Sequence, residues 1–289
     1  MRRLIFLTPV FAFLFAFCAN EKKPQEIVVM TFNIRFDNPS DGINAWPERL
    51  PLVASYLQTA MPDIVGIQES LHHQNLDLLS IMPGYDYVGS GRDDGLEGGE
   101  FSPIFYRTDR FKKLDHDQFW LSETPDIPGS IGWEAVLPRV VAWIHLEDLQ
   151  GGRDFFVFNT HFSHVSDLAR RKSMEFMSEM MSQIAGDTPV LVTGDFNITK
   201  GSALYDDMLV HFRENNRLTN TQYRLQIPAT DVNNTFNAFR DDTQPRVIDY
   251  IFADHNFDVH SFAVDVVKDG NIFISDHWPV WAIVTFAQP

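Results

Sequence analysis

The chain is short of cysteine, of basic residues and of long apolar runs. One cysteine, Cys18, stands in 289 residues, so no disulfide forms within the chain and the fold must be held by its core. Lys and Arg number 23 against 39 Asp and Glu, for a net charge of -16. A protein that grips a DNA backbone displaces counterions with a basic face, and no Lys/Arg run supplies one. The densest cluster, Arg170-Arg171-Lys172, reads as the solvated face of a helix. The longest apolar run, Leu4 to Phe17, is too short to cross a bilayer comfortably. No repeat or low-complexity block is visible. What is present can fill a large core: 44% of residues are hydrophobic and 13% aromatic, while 21% are charged, so disorder is not indicated. The length suits one large domain or two small ones.

Met1-Arg2-Arg3 followed by the apolar run reads as an export signal. Cys18 closes the run, in an arrangement similar to a bacterial lipoprotein signal, where the cysteine is lipidated and becomes the N-terminus. Phe17 departs from the small residue such signals prefer. A plain secretory signal with an incidental cysteine is the alternative. Residues 1–18 are therefore expected to be a signal, 19–26 a polar linker and 27–289 one domain. The protein is expected to be exported and to be monomeric. Lipidated Cys18 would hold it to the cell-envelope membrane; otherwise it is secreted.

Along the domain, apolar runs alternate with helical stripes. Strands are expected at 27–34, 64–67, 85–88, 103–106, 111–121, 139–146, 154–159, 190–192, 247–252, 257–267 and 278–286. Helices are expected from Trp46 to the Pro62-Asp63 stop, and over 71–81, 165–184 and 202–209. In the third, Leu168, Phe176, Met177, Met180, Met181 and Ile184 form the core stripe. Residues 213–240 read as irregular. The pattern is an α/β (α+β) fold of two packed mixed sheets flanked by helices, a four-layer sandwich.

Polar residues recur at one kind of place. Asn33, Glu69, His161, Asp195 with Asn197, Asp249 and Asp276-His277 all sit at or beside the end of an apolar strand. In TPVLVTGDFN (188–197) a buried run delivers a carboxylate and a carboxamide two residues apart, hence to one side. Each has a dull explanation alone: Gly-Asp and Asn form turns, Glu69 caps a helix, His161 is a core histidine. Asp249 within VIDYIF is harder to dismiss, because a carboxylate among apolar neighbours needs a partner. Arg139, after Pro138 at a strand start, is a further candidate for binding an anionic group. Arg92, Asp93 and Glu100 lie in the glycine-rich loop 90–100, which is expected to rim a pocket.

TFNI, QES, NTH, GDFN, VIDYIF and SDHWPV occur in the order found in the endonuclease/exonuclease/phosphatase superfamily, which the chain resembles over nearly its whole mature length. GRDDG, GE..PIFY, LSETPD and PGS.GW resemble exported members from Bacteroides-like bacteria. The resemblance implies a deoxyribonuclease I-like fold and metal-dependent hydrolysis of phosphate esters. It implies that Glu69 and Asn33, with Asp276 near them, hold Mg²⁺ or Mn²⁺. It implies that Asp249 orients His277, that Asp195 and Asn197 position the attacking water, and that His161 faces the phosphate. Either Asp195 or His277 takes the water's proton. The substrate expected is a small, glycan-linked or lipid-linked phosphate ester. A nuclease and a sphingomyelinase-type phospholipase C are alternatives, and the charge balance disfavours duplex nucleic acid. Two other classes remain, an inactive binding protein on this fold and a carboxylate-pair glycosidase; no motif position has lost its functional side chain, which disfavours the first, and metal dependence separates the second.

Overall fold

The computed structural model describes residues 25–225 and 234–288, so the expected signal, Cys18 and most of the linker lie outside the described residues. In chain order the strands are β1 (Ile27–Asn33), β2 (Ile64–Gln68), β3 (Tyr85–Val88), β4 (Ile104–Arg107), β5 (Phe111–Trp120), β6 (Val140–Asp148), β7 (Asp154–His161), β8 (Val190–Asp195), β9 (Thr219–Asn220), β10 (Asp249–Ala253), β11 (Phe257–Val264), β12 (Lys268–Asp269), β13 (Ile272–Phe273) and β14 (Val280–Phe286). The helices are α1 (Trp46–Ala60), α2 (His72–Ile81), α3 (Asp167–Ala185), α4 (Ala203–Asn216) and the single turn α5 (Thr221–Arg224). One sheet has the order β11-β14-β1-β2-β4-β3 and the other β5-β6-β7-β8-β10-β9. Both are mixed, with β1/β2 and β7/β8 the parallel pairs.

The period-2 alternation of the central strands explains the layering. On β1, Val29 points into the space between the sheets, against Val157, Leu191 and Ile251 of the other sheet. Met30 and Phe32 point the other way, onto Val53 and Leu57 of α1 and Leu78 of α2. On the second sheet, Phe158 and Val192 point out onto Met174, Met177 and Met181 of α3 and Phe212 of α4. Both faces of both sheets are therefore buried, giving helix, sheet, sheet, helix.

Beneath the site the apolar interface gives way to a polar tie. Asn159 on β7 donates to the carbonyls of Ile67 (2.7 Å) and Pro103 (3.0 Å), and its oxygen accepts from Gln68 (2.7 Å) and Thr193 (2.9 Å). Gly66 is what lets the sheets approach here, since a Cβ would lie 2.0 Å from Thr193 Oγ1 and 2.5 Å from Asn159 Oδ1.

Three expectations need correction. The helix expected at 202–209 runs on to Asn216, into the stretch read as irregular, where β9 and α5 follow; Leu204, Met208 and Phe212 continue one buried stripe. Leu168 sits in the first turn of α3 and is 43% exposed, while Ala169, Ser173 and Ser178 take the inward positions. Asp249 is the first residue of its strand rather than an interior one.

Candidate active site

The register of the second sheet brings three functional side chains into one row. Asp195, the last residue of β8, pairs with His161 of β7 on one side and Asp249 of β10 on the other. Alternation in GDFN then divides the motif. Phe196 packs inward among Phe162, Phe212 and Phe252, leaving Asp195 and Asn197 to line a cleft of about 520 Å³. The facing sheet contributes Asn33 from the end of β1 and Glu69 directly after β2. The turn before β14 contributes Asp276 and His277. Three residues at these strand ends, Arg35, Glu69 and Asn197, hold positive φ angles of 59°, 63° and 51°. Non-glycine residues rarely adopt that conformation, and backbone strain of this kind concentrates where function requires a particular side-chain direction.

His277 Nδ1 lies 2.9 and 3.1 Å from the two oxygens of Asp249, and its Nε2 faces Asp195 Oδ2 at 3.7 Å. Burial opposes a charge on this ring, but Asp249, then Asp195 and Asp276, outweigh it and raise its pKa, so it is held as an imidazolium at neutral pH. The phenyl ring of Phe236 closes one edge, 5.0 Å away centroid to centroid. His161 behaves oppositely. Burial and the nearby Arg139 and Arg92 drive its pKa well down, so its 3.5 Å contact with Asp195 joins a neutral ring to a carboxylate. Asn197 Nδ2 lies 3.0 Å from His161 Nε2 and fits donation to it, and the Asn197 backbone N–H donates to Asp195 Oδ1 at 2.9 Å.

On the other wall, Asn33 Nδ2 donates to Glu69 Oε1 and Asp195 Oδ2, both at 3.1 Å, while its oxygen accepts from the Arg35 N–H at 3.0 Å. In this arrangement Asn33 ties the two carboxylates together and turns its nitrogen, not its oxygen, toward them. Burial, with Asp249 for Asp195 and with Glu69 for Asp276, raises both aspartates above the ordinary carboxylate range against the pull of His277. Glu69, His161 and Asp195 each offer a ligand atom within 4.8 Å of the others. Two carboxylates and a neutral imidazole this close are a donor set that a divalent cation could use, the oxygens being its hard ligands. Arg35 already partly serves that charge, its guanidinium 3.7 Å from Glu69 and 4.0 Å from Asp276.

Of the residues expected from the sequence, Asn33, Glu69, His161, Asp195, Asn197, Asp249, Asp276 and His277 all meet at this site. Glu100 and Arg139 line the cleft. Arg92 stands behind Glu100, gripping it with two bonds of 2.6 and 2.9 Å. Arg35, His164, Phe236 and Arg246 also line the cleft and were not foreseen as site residues. Arg35 had a signal, a charged residue just past the same strand as Asn33. Phe236 and Arg246 had none, because residues 234–248 carry no periodicity. Their place is fixed by Thr235, whose hydroxyl accepts from the N–H groups of Ile248 and Asp249 and whose carbonyl accepts from Trp278.

Two sheets whose strand ends present a carboxylate cluster, a His–Asp pair and a second histidine define a metal-dependent phosphoester hydrolase. A sequence model of the Endonuclease/Exonuclease/phosphatase family matches residues 30–277, and the chain belongs to that family. It is similar to a family protein of Bacteroides thetaiotaomicron, 36% identical over 92% of this chain and 100% of that one, with a TM-score of 0.82. It is also similar to the mannosyl-6-phosphatase of the same organism, 34% identical over 90% of this chain and 100% of that one, with a TM-score of 0.79. An uncharacterised protein of Acanthamoeba polyphaga mimivirus is 26% identical over 85% of this chain and 94% of its own length.

Proposed function

We propose that the chain is an exported, Mg²⁺-dependent phosphatase acting on phosphate esters carried by sugars or other small polar bodies. The observation that carries this reading is the cleft itself, in which Asp195 stands between the neutral His161 and the cationic His277. Its likeness over nearly the full length to a sugar phosphatase supports the choice of substrate body. Glu69 and Asp276 would hold the cation, and Asn33, whose amide nitrogen faces Glu69 and Asp195 in this arrangement, would join them only with its amide turned over. A divalent ion bound there polarises a phosphoryl oxygen and neutralises developing charge.

The residues of the chain then divide the work. Asn197 and His161 orient a water in line with the ester bond. As the water oxygen bonds to phosphorus, Asp195 accepts its proton, and the bond from phosphorus to the ester oxygen breaks. His277 cannot take that proton while Asp249 holds it as an imidazolium; its Nε2–H instead faces the charge that grows on the phosphoryl oxygens. The departing oxygen is protonated by solvent.

Turnover of sugar phosphates, nucleotides, phosphodiesters and phospholipid headgroups by purified protein in Mg²⁺ tests the reading. Release of phosphate from sugar phosphates is expected to dominate, and activity confined to nucleic acid or phospholipid would overturn it. Export is supported by the charged start and apolar run before Cys18. Labelled fatty acid is expected in the wild type and not in Cys18→Ser; a soluble unlipidated product would leave only the plain secretory signal.

A further inference from the structure

We infer that Arg139 receives the second negative charge of a phosphate monoester, so that the site takes monoester dianions in preference to diesters. The inference rests on the phosphoester-hydrolase reading above. Arg139 directly precedes β6 and is 5% exposed, yet it lines the cleft. Its Nη2 meets the neutral acceptor His164 Nδ1 at 3.0 Å. Its Nε and Nη1 are buried with no hydrogen-bond partner. Among the described residues no carboxylate forms an ion pair with it. Glu100, the acid of the same wall, is held by both forks of Arg92, itself 7% exposed.

Two buried guanidinium groups thus stand beside Glu100, and of the carboxylates whose charge reaches Arg139, namely Glu100, Glu69 and Asp195, none is bonded to it. His161, kept neutral, adds no charge beside them. Burial and the nearby Arg92 lower Arg139 to about 10 against the pull of those three carboxylates, which leaves it cationic at neutral pH. A buried cation whose N–H groups meet no carboxylate is costly unless an anion arrives to meet it. A guanidinium with unused N–H groups matches a tetrahedral oxyanion. A diester phosphate has two non-bridging oxygens and one charge, whereas a monoester dianion has three and two. His277, with a cation that Glu69 and Asp276 would hold on the opposite wall, would answer the charge both esters share. Arg139 answers the charge that only the monoester adds.

The test compares Arg139→Met, which keeps length and removes charge, with Arg139→Lys, which restores charge. The kcat/KM for p-nitrophenyl phosphate and for bis(p-nitrophenyl) phosphate is measured at one Mg²⁺ concentration. Binding of inorganic phosphate to the Mg²⁺-loaded protein is read from the shift in melting temperature. The wild type is expected to favour the monoester. Arg139→Met is expected to lose about 100-fold on it, at least ten times more than on the diester, and to lose the thermal shift with phosphate. Arg139→Lys is expected to recover part of both. Equal losses on the two esters with phosphate binding intact would overturn the inference, as would a wild type that prefers the diester. If the wild type hydrolysed neither chromogenic ester, loss of phosphate binding in Arg139→Met would still carry the inference and intact binding would overturn it, while the phosphatase reading would be decided by the sugar phosphates above.

Discussion

Arg49 Nη1 donates to the carbonyl oxygen of Ile274 at 2.9 Å, joining α1 to the turn that carries Asp276 and His277. The same nitrogen reaches the carbonyl of Ile34 at 2.7 Å, Nη2 that of Arg35 at 3.2 Å, and Nε that of Asn44 at 2.5 Å. The side chain is fully buried, with its guanidinium 5.3 Å from the Trp46 ring. One arginine thereby fixes both strand ends that face the metal-side carboxylates. Arg49→Met should strand the carbonyls of Ile34, Asn44 and Ile274, while that of Arg35 keeps Gln74 Nε2, and lower stability by roughly 3 kcal/mol, measured by urea unfolding. It should also raise the Mg²⁺ concentration needed for half-maximal binding. A variant within about 0.5 kcal/mol of wild type would show that the carbonyls find other partners.

The His277–Asp249 pair should act as a unit. With Nδ1 held between two carboxylate oxygens, the ring loses both orientation and charge when Asp249 is neutralised. His277→Ala and Asp249→Asn are each expected to lower kcat by about 10³ or more, with the double variant little worse than the weaker single. Losses that multiply in the double variant would mean the two residues work independently. Circular dichroism should show all three folded.

Removing metal should abolish turnover. EDTA is expected to stop hydrolysis, and Mg²⁺ or Mn²⁺ to restore it. Glu69→Gln retains the length of the side chain but weakens the hard-donor set, so binding of Mn²⁺, followed by its paramagnetic signal, should weaken by about tenfold or more. Full activity in chelator would remove the cation from the mechanism altogether.

Much of this architecture is legible in the sequence because it obeys periodicity. Val29, Met30 and Phe32 announce a strand buried on both faces, and the Met-rich stripe of α3 announces its packing. The site is legible for a different reason: Asn33, Glu69, His161, Asp195 and His277 each break an apolar pattern at its end. Asp249 was legible as an anomaly, though its true position, first in the strand and paired across from Asp195, depends on register. Leu168 misled because its apolar character fits the stripe while the first turn of α3 turns it outward. Arg246 and Phe236 stayed hidden because they are placed by hydrogen bonds to Thr235 across an aperiodic segment. Arg49 stayed hidden because a buried arginine on a helix reads as a surface charge. Arg139 was legible as a cation near a phosphate, but its lack of an anionic partner is visible only in three dimensions.

Duplex DNA should be a poor substrate. Binding a duplex through several phosphates requires a basic surface and falls steeply with salt. This chain carries a net charge of -16, and two of its cations near the cleft are already paired, Arg92 with Glu100 and Arg35 with Asp41 at 3.0 Å, which leaves Arg139 and Arg246 as its free arginines among the described residues, too few to grip several phosphates. The loop leading to Glu100 adds Asp93, exposed Glu97 and Asp94, whose carboxylate caps the N–H groups of Leu96 and Gly98. A rim of that sign repels a polyanion but tolerates a substrate with one phosphate and a neutral body. At equal Mg²⁺, turnover of plasmid DNA is therefore expected to fall at least about 100-fold below that of a sugar phosphate. The comparison is made at low and at moderate salt, so that screening of the rim is separated from absence of a binding face. Plasmid cleavage at a rate equal to the small ester, surviving both salt conditions, would assign the cleft to nucleic acid after all.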